Sequence, residues 1–340
     1  MRRSRARLNA LFHRTLNLRP LSSLLLLLLL LLLLLLLNPK KTQRHSHPCD
    51  NLPRGPLVVR LNAFKRHNRA INAAAFYSRC SCVARIDVAW SDPDANPPSD
   101  LINAHPSKIT VSQFPSPSLN NRFVPLSGLQ PSDAVFSVDD DVRVSCNSLE
   151  LAMEAFNASP PGTLVGFNAR LHVRSRQQIS PSASLSRSHS LFSRKSHCPS
   201  SKWLYRKWWS VTGKGWYSIV LTKSAILSNG MLQLYTHSTP REALSIVDAR
   251  RNCEDLLMQF VATNATGQPP LAVHGSYTDS GAIGGISTTS SSHAASRGCC
   301  LDEFEEIFGH MVLKSSSRFV QPVSKAYFSA PTVLELLAVP

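Results

Sequence analysis

Short apolar runs alternate with stretches of helical periodicity along most of the chain after residue 56. Short runs rich in Val, Ile and Phe are typical of buried strands, whereas apolar residues three to four apart are typical of helices. The pattern predicts strands at 57–61, 83–90, 108–114, 134–138, 164–167 and 217–221, and helices at 67–79, 148–158 and 252–260. Strands that alternate with helices indicate an α/β domain with a mostly parallel sheet.

The predicted strand 134–138 runs directly into three carboxylates, Asp139, Asp140 and Asp141. Adjacent like charges repel one another unless a cation or water relieves them. Ligands of open α/β sheets gather beyond the carboxyl ends of the strands, and carboxylate oxygens suit Mg²⁺ or Mn²⁺ together with substrate phosphates. The alternative is a solvated turn, because aspartate is common in turns. The local sequence leaves both interpretations open.

Residues 21–37 are leucine apart from two serines, and they are at the short end of what spans a bilayer. More basic residues precede this segment than closely follow it, which favours a cytosolic N-terminus. We therefore predict a cytosolic tail at 1–20, a transmembrane signal-anchor at 21–37 and a stem at 38–56. A cleaved signal peptide is the alternative, but no small-residue cleavage site follows. A short span favours the thinner membranes of the early secretory pathway.

A body in the secretory lumen folds where disulfides form. The chain has 8 cysteines, and the closely spaced ones lack the C-x-x-C spacing of zinc or redox sites. Asn157 and Asn264 each begin an N-x-S/T glycosylation acceptor.

The formal net charge of +16 raises the question of nucleic-acid binding. Much of the excess lies in 1–19 and 174–202, and neither segment interleaves aromatic and basic residues as single-strand binders do. The chain has no zinc-finger spacing or RNA-recognition signature. We therefore predict no nucleic-acid partner. We interpret the Ser/Arg-rich segment 174–202 as a low-complexity insertion, and the Gly/Ser/Thr-rich segment 275–298 as a loop.

Four further stretches carry candidate chemistry. The basic pair in 62–66 could hold a phosphate, and the amides and guanidinium in 118–123 could bind a base, a ribose or a diphosphate. Each is also an ordinary loop or turn pattern. Asn252 precedes an acidic first turn, which helix capping explains without any function. The tryptophans of 203–216 could stack on sugar rings, although a place in the core is the more common one for such residues.

Five short motifs follow one another along the chain. They are SLNNRF at 118–123, SVDDDV at 137–142, VGF at 165–167 followed by Arg170 and His172, YSIVLTKSA at 217–225, and RNCEDLLMQF at 251–260. In order and spacing they resemble the exostosin-like glycosyltransferases of family 64, over roughly 58–313. The stretches WWS and YTHSTP are most similar to the plant branch, which resembles enzymes that glycosylate glycosyl inositol phosphorylceramide sphingolipids in the Golgi.

The resemblance implies a GT-A fold over 57–313, a nucleotide-sugar donor, and a retaining transfer that depends on Mn²⁺. It also implies a role for each matching residue. The catalytic group comprises Asp255, Glu254 and Arg297; the donor-binding group comprises Arg66, Asn121, Arg122, Asp139 and Asp140; the metal ligand is Asp141; and Cys253 and Cys300 form a disulfide.

We therefore expect a Golgi type II membrane glycosyltransferase that moves mannose from GDP-mannose to a glycan or a sphingolipid headgroup. The alternatives are a UDP-N-acetylhexosamine donor, or a catalytically silent, membrane-anchored carbohydrate-binding protein with the same fold. Two departures from the family pattern motivate the silent alternative. Val312-Leu313 replaces the usual Pro-Leu, and 314–340 shows no recognised motif of the family, so we interpret it as a divergent tail.

Overall fold

The computed structural model describes residues 57–103, 105, 107–175, 201–280 and 291–322. The predicted tail, anchor and stem, most of the insertion 174–202, and 323–340 lie outside these ranges. Within them, none of the helices is both long and apolar enough to cross a membrane.

The helices and strands have the following bounds. The strands are β1 Leu57–Ala63, β2 Val83–Trp90, β3 Ile109–Gln113, β4 Ala134–Asp139, β5 Val142–Val144, β6 Val165–Gly166, β7 Ala169–Arg174, β8 Trp203–Arg206, β9 Ile219–Val220, β10 Ser224–Ser228, β11 Leu271–Val273, β12 Tyr277–Asp279 and β13 Phe319–Val320. The helices are α1 His67–Tyr77, α2 Ser99–Asn103, α3 Cys146–Ala158, α4 Trp208–Lys214, α5 Asn229–Ser238, α6 Arg241–Arg250, α7 Glu254–Thr266 and α8 Ser291–Phe308, with a 3₁₀ turn at Leu119–Phe123.

The main sheet has eight strands in the order β13-β11-β6-β10-β4-β1-β2-β3. Its pairings are parallel except for those of β10, which runs antiparallel to both β4 and β6. The carboxyl ends of β4, β6 and β11 therefore lie at the same edge. Two small sheets, β12-β5 and β8-β7-β9, complete the fold. The predicted α/β class with a mostly parallel sheet is confirmed.

Both faces of the main sheet are buried, which explains why its central strands are mostly apolar. Along β1, Val59 and Leu61 pack in one cluster with residues of α1 and α3. Val58 points the other way, into a second cluster built largely from α5, α6, α7 and α8. The helix α7 lies deep in this second cluster, and its first ten residues, 254–263, are all buried. A helix that is buried on all sides belongs to the centre of a domain.

Two features differ from the sequence predictions. The segment 275–298 is not a continuous loop, because β12 pairs with β5 and α8 begins at Ser291. The predicted domain boundary at 313 is too early, because β13 forms the edge of the main sheet beside β11. The Tyr217 hydroxyl also donates to the backbone oxygen of Arg318. At least part of the predicted divergent tail thus belongs to the fold.

Every described cysteine is disulfide-bonded. One bond, Cys80–Cys146, joins the turn after α1 to the first residue of α3. Of the two glycosylation acceptors, Asn264 is exposed in the last turn of α7. The amide atoms of Asn157 are buried and have no hydrogen-bond partner among the described residues.

Candidate active site

The three aspartates lie at the carboxyl edge of the main sheet, where β4 ends and turns into β5. Asp140 is fully buried, while the Asp139 and Asp141 side chains are partly exposed. Burial raises the pKa of Asp140 to about 7, and the neighbouring carboxylates add to this rise. Neither Asp140 carboxylate oxygen has a well-aligned hydrogen bond within the described ranges. The turn therefore concentrates negative charge, and arginines from other parts of the sequence face it.

Two arginines from the start of α1 face this turn. The Arg66 guanidinium lies 2.6 Å from Asp140 Oδ1 and donates to Asp141 Oδ2 at 2.8 Å. Arg69 approaches the same Asp141 oxygen at 3.7 Å. Lys65, which precedes Arg66, has φ +58°, a left-handed backbone conformation that residues other than glycine rarely adopt. The backbone turns sharply there and brings Arg66 over the aspartates. Sequence reasoning missed Arg69, although it follows Arg66 by about one helical turn.

Arg122 connects the aspartate turn to the start of α7. One of its nitrogens pairs with Asp139 and another lies 3.3 Å from Glu254 Oε1. The Arg122 side chain is only 7% exposed, so both contacts are largely shielded from water. Ion pairs that are shielded from water are stronger than those at the surface. Loss of either partner, however, leaves the other charge buried and unpaired. The Arg122 guanidinium thus contacts two carboxylates, Asp139 and Glu254, that are far apart in the sequence.

Asp255 lies beside Glu254 in the first turn of α7 and pairs with Arg297 of α8. Arg297 Nη2 donates to Asp255 Oδ2 at 2.8 Å, and both side chains are buried. The Arg297 guanidinium also stacks on the Tyr205 ring at 4.8 Å. Its Nη1 is buried and has no acceptor among the described residues. One donor of Arg297 therefore stays available to an anionic group in the site.

The backbone before α7 is shaped by Cys253 and Asn252. Cys253 has φ +76° and forms a disulfide with Cys300, which ties the start of α7 to α8. The predicted helix cap at Asn252 is wrong: Cys253 occupies the cap position. Asn252 Oδ1 instead accepts from the backbone nitrogen of Cys253 and from Arg297 Nε at 3.2 Å. Asn252 therefore orients Arg297, a role that local sequence did not indicate.

The amide of Asn121 serves the loop that carries it. Asn121 Nδ2 donates to Ser91 Oγ and to the backbone oxygen of Ser116, at 3.1 and 2.7 Å. The neighbouring Asn120 donates to Asp248 and accepts from the Tyr235 hydroxyl. These bonds hold the loop in place behind Arg122. Of the proposed donor-binding residues, Asn121 thus contacts the scaffold, whereas Arg66, Arg122 and the aspartates lie together.

Comparison with known proteins identifies the family to which this arrangement belongs. The model of the glycosyl transferase family 64 domain matches residues 57–324. The chain belongs to glycosyl transferase family 64. The protein is therefore a glycosyltransferase, as the sequence predicted. The family match also extends beyond residue 313, in agreement with the place of β13 in the sheet.

Curated relatives of this family 64 enzyme come from plants and animals. Glycosylinositol phosphorylceramide mannosyl transferase 1 from Arabidopsis thaliana is 32% identical over 270 residues, which cover 76% of this chain and 73% of that protein. Exostosin-2 from Homo sapiens is 27% identical over 252 residues, which cover 72% of this chain and 31% of exostosin-2. The chain therefore spans less than a third of that exostosin.

Two solved structures resemble the family 64 enzyme at a lower level. A 4-diphosphocytidyl-2C-methyl-D-erythritol synthase has a TM-score of 0.38 and 14% identity, covering 74% of this chain and 100% of that one. The mannosyltransferase PcManGT from Pyrobaculum calidifontis, in complex with GDP-Man and Mn²⁺, has a TM-score of 0.32 and 12% identity, covering 63% and 65%. Scores this low indicate neither a donor nor a metal for this chain.

The aspartate turn of the family 64 enzyme could bind a divalent cation through one or two carboxylates, with the substrate supplying the other ligands. Within the described ranges, no group of three or more His, Cys, Asp or Glu side chains is arranged to hold a metal ion. Mg²⁺ and similar hard cations are often bound by one or two carboxylates together with substrate phosphates. The partly exposed Asp141 carboxylate suits that arrangement, and so does the Asp140 carboxylate, whose Oδ1 lies 2.6 Å from Arg66 but whose oxygens have no well-aligned hydrogen bond among the described residues.

Glu254 gives the family 64 enzyme a testable pH dependence. Burial raises its pKa from 4.5 to about 7; Asp255 adds to the rise and Arg122 opposes it. A carboxyl with a raised pKa stabilises the folded state below its unfolded pKa, and that stabilisation is lost as the pH rises through the folded pKa. We expect Glu254→Gln to remove this loss, which amounts to roughly 3 kcal/mol between pH 4.5 and about 7.

The measurement is denaturant unfolding of wild type and Glu254→Gln at about pH 5 and about pH 8. The unfolding free energy of the variant, relative to wild type, should be higher at the upper pH. Asp140 titrates in the same range in both proteins, so its contribution cancels in this difference. A difference that stays constant with pH would show that Glu254 keeps one protonation state throughout.

Proposed function

We propose that the protein is a Golgi membrane enzyme with a GT-A fold that transfers mannose, with retention of configuration, from GDP-mannose to a glycosyl inositol phosphorylceramide sphingolipid. This proposal rests on the two ion pairs of Arg122, one with Asp139 and one with Glu254. Its guanidinium joins the aspartate turn to the carboxylates that begin α7. This arrangement offers one region for a nucleotide diphosphate and another for the sugar.

The donor and acceptor are proposed from the relatives. The Arabidopsis relative, named as a glycosylinositol phosphorylceramide mannosyl transferase, is the more similar one and is matched over most of its length, at 32% identity. The human exostosin is matched over 31% of its length at 27% identity. These figures favour the mannosyl donor over the UDP-N-acetylhexosamine alternative. The Golgi membrane location rests on the leucine segment 21–37, which lies outside the described residues.

The arrangement of charges suits the departure of a nucleoside diphosphate from a sugar. Negative charge builds on the phosphate oxygens as the bond breaks, and preorganised cationic groups stabilise it. Arg66 and Arg122 lie beside the aspartate turn, where those oxygens would bind. The sugar develops oxocarbenium character, which a nearby carboxylate stabilises. Asp255 supplies that carboxylate, and Arg297 orients it at 2.8 Å.

Mn²⁺ is the cofactor of the proposal, and Asp141 is the residue that would hold it. A divalent ion at this position would neutralise charge on the departing diphosphate. In the structure, Arg66 and Arg69 form ion pairs with the Asp141 carboxylate. Both arginine side chains are about half exposed and are therefore able to turn toward a phosphate when a cation takes their place.

A donor screen tests this function. We expect GDP-mannose with Mn²⁺ to raise the midpoint of thermal unfolding of the full chain, because a ligand that binds the folded state stabilises it. UDP-N-acetylglucosamine should raise it less, and Asp141→Ala should abolish the Mn²⁺-dependent part of the shift. Asp94→Ala is the matched control, since Asp94 is an exposed aspartate paired with Lys65 at 3.8 Å.

Each outcome bears on a separate part of the proposal. A larger shift with the UDP sugar would overturn the choice of donor. An Mn²⁺-dependent shift that survives in Asp141→Ala would overturn the metal assignment. Absence of binding, hydrolysis and transfer with every nucleotide sugar would overturn the proposed donor class altogether.

A further inference from the structure

Two adjacent tryptophans, Trp208 and Trp209, lie on the surface at the start of α4. Their side chains are 59% and 56% exposed, and their rings meet edge to face with centroids 6.0 Å apart. Neither indole nitrogen donates a hydrogen bond to a described residue, whereas the indole nitrogens of Trp90 and Trp203 both do. Tryptophan is highly buried on average. Two exposed indoles side by side therefore indicate a contact surface for a partner.

The helix that carries the two tryptophans is fixed to the domain. Val211 of α4 is buried in a small apolar cluster that also contains Leu171 and Tyr217. The helix ends at Gly215, whose φ of +71° lets its backbone nitrogen donate to the Val211 oxygen at 2.8 Å. One side of α4 thus packs against the domain, and the exposed indoles are presented on an anchored backbone.

Positive charge flanks the tryptophans. Lys207 directly precedes them, and its Nζ lies 5.3 Å from the centre of the Trp209 ring. Arg206 and Lys214 are exposed at the two ends of this stretch. Among the residues that the structure describes, no carboxylate forms an ion pair with any of these three cations. We call the five residues together, Arg206, Lys207, Trp208, Trp209 and Lys214, the tryptophan patch.

The wider segment around the tryptophan patch carries no negative charge. Residues 155–241 contain twelve Lys and Arg and no Asp or Glu, so they supply +12 of the chain's formal net charge of +16. An anionic partner is therefore favoured, since opposite charges attract it and hold it there. A second copy of this chain would bring the same positive surface, and repulsion between like charges disfavours such a dimer.

A lipid surface matches both the aromatic and the cationic part of the tryptophan patch. Tryptophan is enriched where membranes meet water, because its ring contacts apolar chains while its N–H reaches the polar headgroups. The free indole nitrogens of Trp208 and Trp209 suit that position. Lysine and arginine next to such aromatics are attracted to anionic headgroups. A neutral glycan would use the rings but would leave the cations without partners.

The anchor predicted at 21–37, which lies outside the described residues, would keep the tryptophan patch near a membrane. The stem predicted at 38–56 has 19 residues. Covalent geometry then limits the distance from the end of the anchor to Leu57 to about 70 Å. A tether of this length makes docking of the body an intramolecular event, so a contact of few side chains is sufficient.

The tryptophan patch lies close to the catalytic end of α8. Arg297, the partner of Asp255, stacks its guanidinium on Tyr205, which comes two residues before Lys207. Burial lowers the pKa of His293 to about 4, and the cations Arg297 and Lys207 add to this fall. Lys207 therefore acts on the first turns of the helix that carries Arg297. A membrane in contact with the patch would bring lipid headgroups toward the carboxylates of α7.

We propose that the tryptophan patch docks the catalytic domain on the surface of a lipid bilayer that contains anionic headgroups. Trp208 and Trp209 enter the headgroup layer, and the three cations of the patch pair with lipid phosphates. Docking orients the body so that the open side of the site faces lipid-borne acceptors. This consequence for the acceptor rests on the proposed function, whereas docking itself does not.

The docking test measures tryptophan fluorescence of the full chain in lipid nanodiscs that contain phosphatidylcholine brominated near the headgroup end of its acyl chains. All 5 tryptophans lie between residues 90 and 216, so the predicted anchor contributes no signal. In discs that also contain phosphatidylinositol, we expect bromine to quench two of the five tryptophans. Trp208→Ala/Trp209→Ala should show no lipid-dependent quenching, because the remaining three are covered by the protein.

A charge variant keeps every tryptophan and tests the cations of the patch. We expect Lys207→Gln/Lys214→Gln to lower the ratio of quenched to unquenched protein in phosphatidylinositol discs about thirtyfold, or ~2 kcal/mol. Discs of phosphatidylcholine alone should give weak quenching in both proteins. The matched control is Arg79→Gln/Arg241→Gln, which removes two exposed cations from outside the patch. This control should be quenched as wild type is.

The kinetic test compares one acceptor in two forms. With glycosylinositol phosphorylceramide in vesicles, we expect Trp208→Ala/Trp209→Ala to lower the rate of transfer about tenfold, because docking no longer concentrates the enzyme at the lipid. With soluble glycosylinositol phosphate, the variant should match wild type. The control is Ile102→Ala/Leu234→Ala, which removes two exposed apolar side chains elsewhere on the surface. It should match wild type with both acceptors.

The proposal is wrong if wild type shows no lipid-dependent quenching in either kind of disc, or if the lysine variant is quenched as strongly as wild type. An equal fall in transfer to both acceptors in the tryptophan variant would assign Trp208 and Trp209 to a glycan site. Self-association of wild type that the same variant abolishes would assign them to a dimer contact, and either result overturns the membrane assignment. Failure to bind any nucleotide sugar would overturn the proposed function instead, and the quenching would still report on docking.

Discussion

Replacing Asp255 by asparagine is expected to lower the rate of sugar transfer by a factor on the order of 10³, while GDP-mannose binding stays close to that of wild type. The change removes one negative charge and keeps the shape of the side chain. An asparagine oxygen can still accept from the backbone nitrogen of Leu256, as Asp255 Oδ1 does at 2.8 Å. It cannot stabilise positive charge that develops on the sugar in the transition state. The effect should therefore fall on turnover.

Transfer rates and thermal shifts with GDP-mannose measure the two effects of Asp255→Asn separately. Asp133→Asn is a matched control, because Asp133 also accepts one backbone N–H, from Gln130 at 2.7 Å. It precedes β4, at the opposite edge of the sheet from Asp139, and its replacement should leave both quantities unchanged. If Asp255→Asn weakened nucleotide binding as much as turnover, Asp255 would be a structural residue that organises the start of α7.

The strands that carry the site were predictable because their burial is visible in sequence. The runs at 83–90 and 134–138 are mostly apolar, as expected for strands covered on both faces, and β2 and β4 form there. The segment 275–298 misled because its Gly, Ser and Thr are typical of loops. Burial of Cys300, Leu301 and Phe304 against the second core cluster stabilises α8, whose first turns are polar. Tertiary contacts there override local composition.

The residues of the candidate site were predictable from the family resemblance, whereas their partners were not. No local pattern indicates that Arg122 reaches both Asp139 and Glu254, because the three residues come from a loop, a strand end and a helix. Nor does any pattern place Tyr205 beneath Arg297. Asn252 resembled a helix cap because asparagine before acidic residues usually is one. The left-handed backbone at Cys253 displaces it from that position.

The tryptophans of segment 203–216 do not all follow the general tendency of tryptophan to be buried. The tendency of tryptophan to be buried predicts a core position for Trp208 and Trp209, yet both are more than half exposed. The helix α4 has seven residues, and its one buried side chain is Val211. A helix this short has too few turns to bury more than one narrow stripe. Most of the remaining side chains face outward, which leaves both tryptophans at the surface.

The second large effect is expected for Arg122→Met, which should lower the free energy of unfolding by about 3–5 kcal/mol and abolish transfer. Methionine keeps much of the length and the apolar contacts of the arginine stem. It leaves Asp139 without its ion pair and Glu254 buried beside Asp255 with one counter-charge fewer. Removing one partner of a buried pair costs more than the pair itself contributes, because the other charge stays in a poorly solvated site.

Urea unfolding of Arg122→Met, Glu254→Gln and the double variant would separate the ion pair from simple loss of packing. If Glu254 becomes an unpaired buried charge in Arg122→Met, neutralising it should recover part of the lost stability, with a coupling of about 0.5–3 kcal/mol. The recovery should be larger at about pH 8 than at about pH 5, because the raised pKa of Glu254 leaves it protonated at the lower pH. Additive losses at both pH values would show that Arg122 stabilises the fold through packing and through Asp139 alone. The link between the aspartate turn and α7 would then have to depend on other contacts.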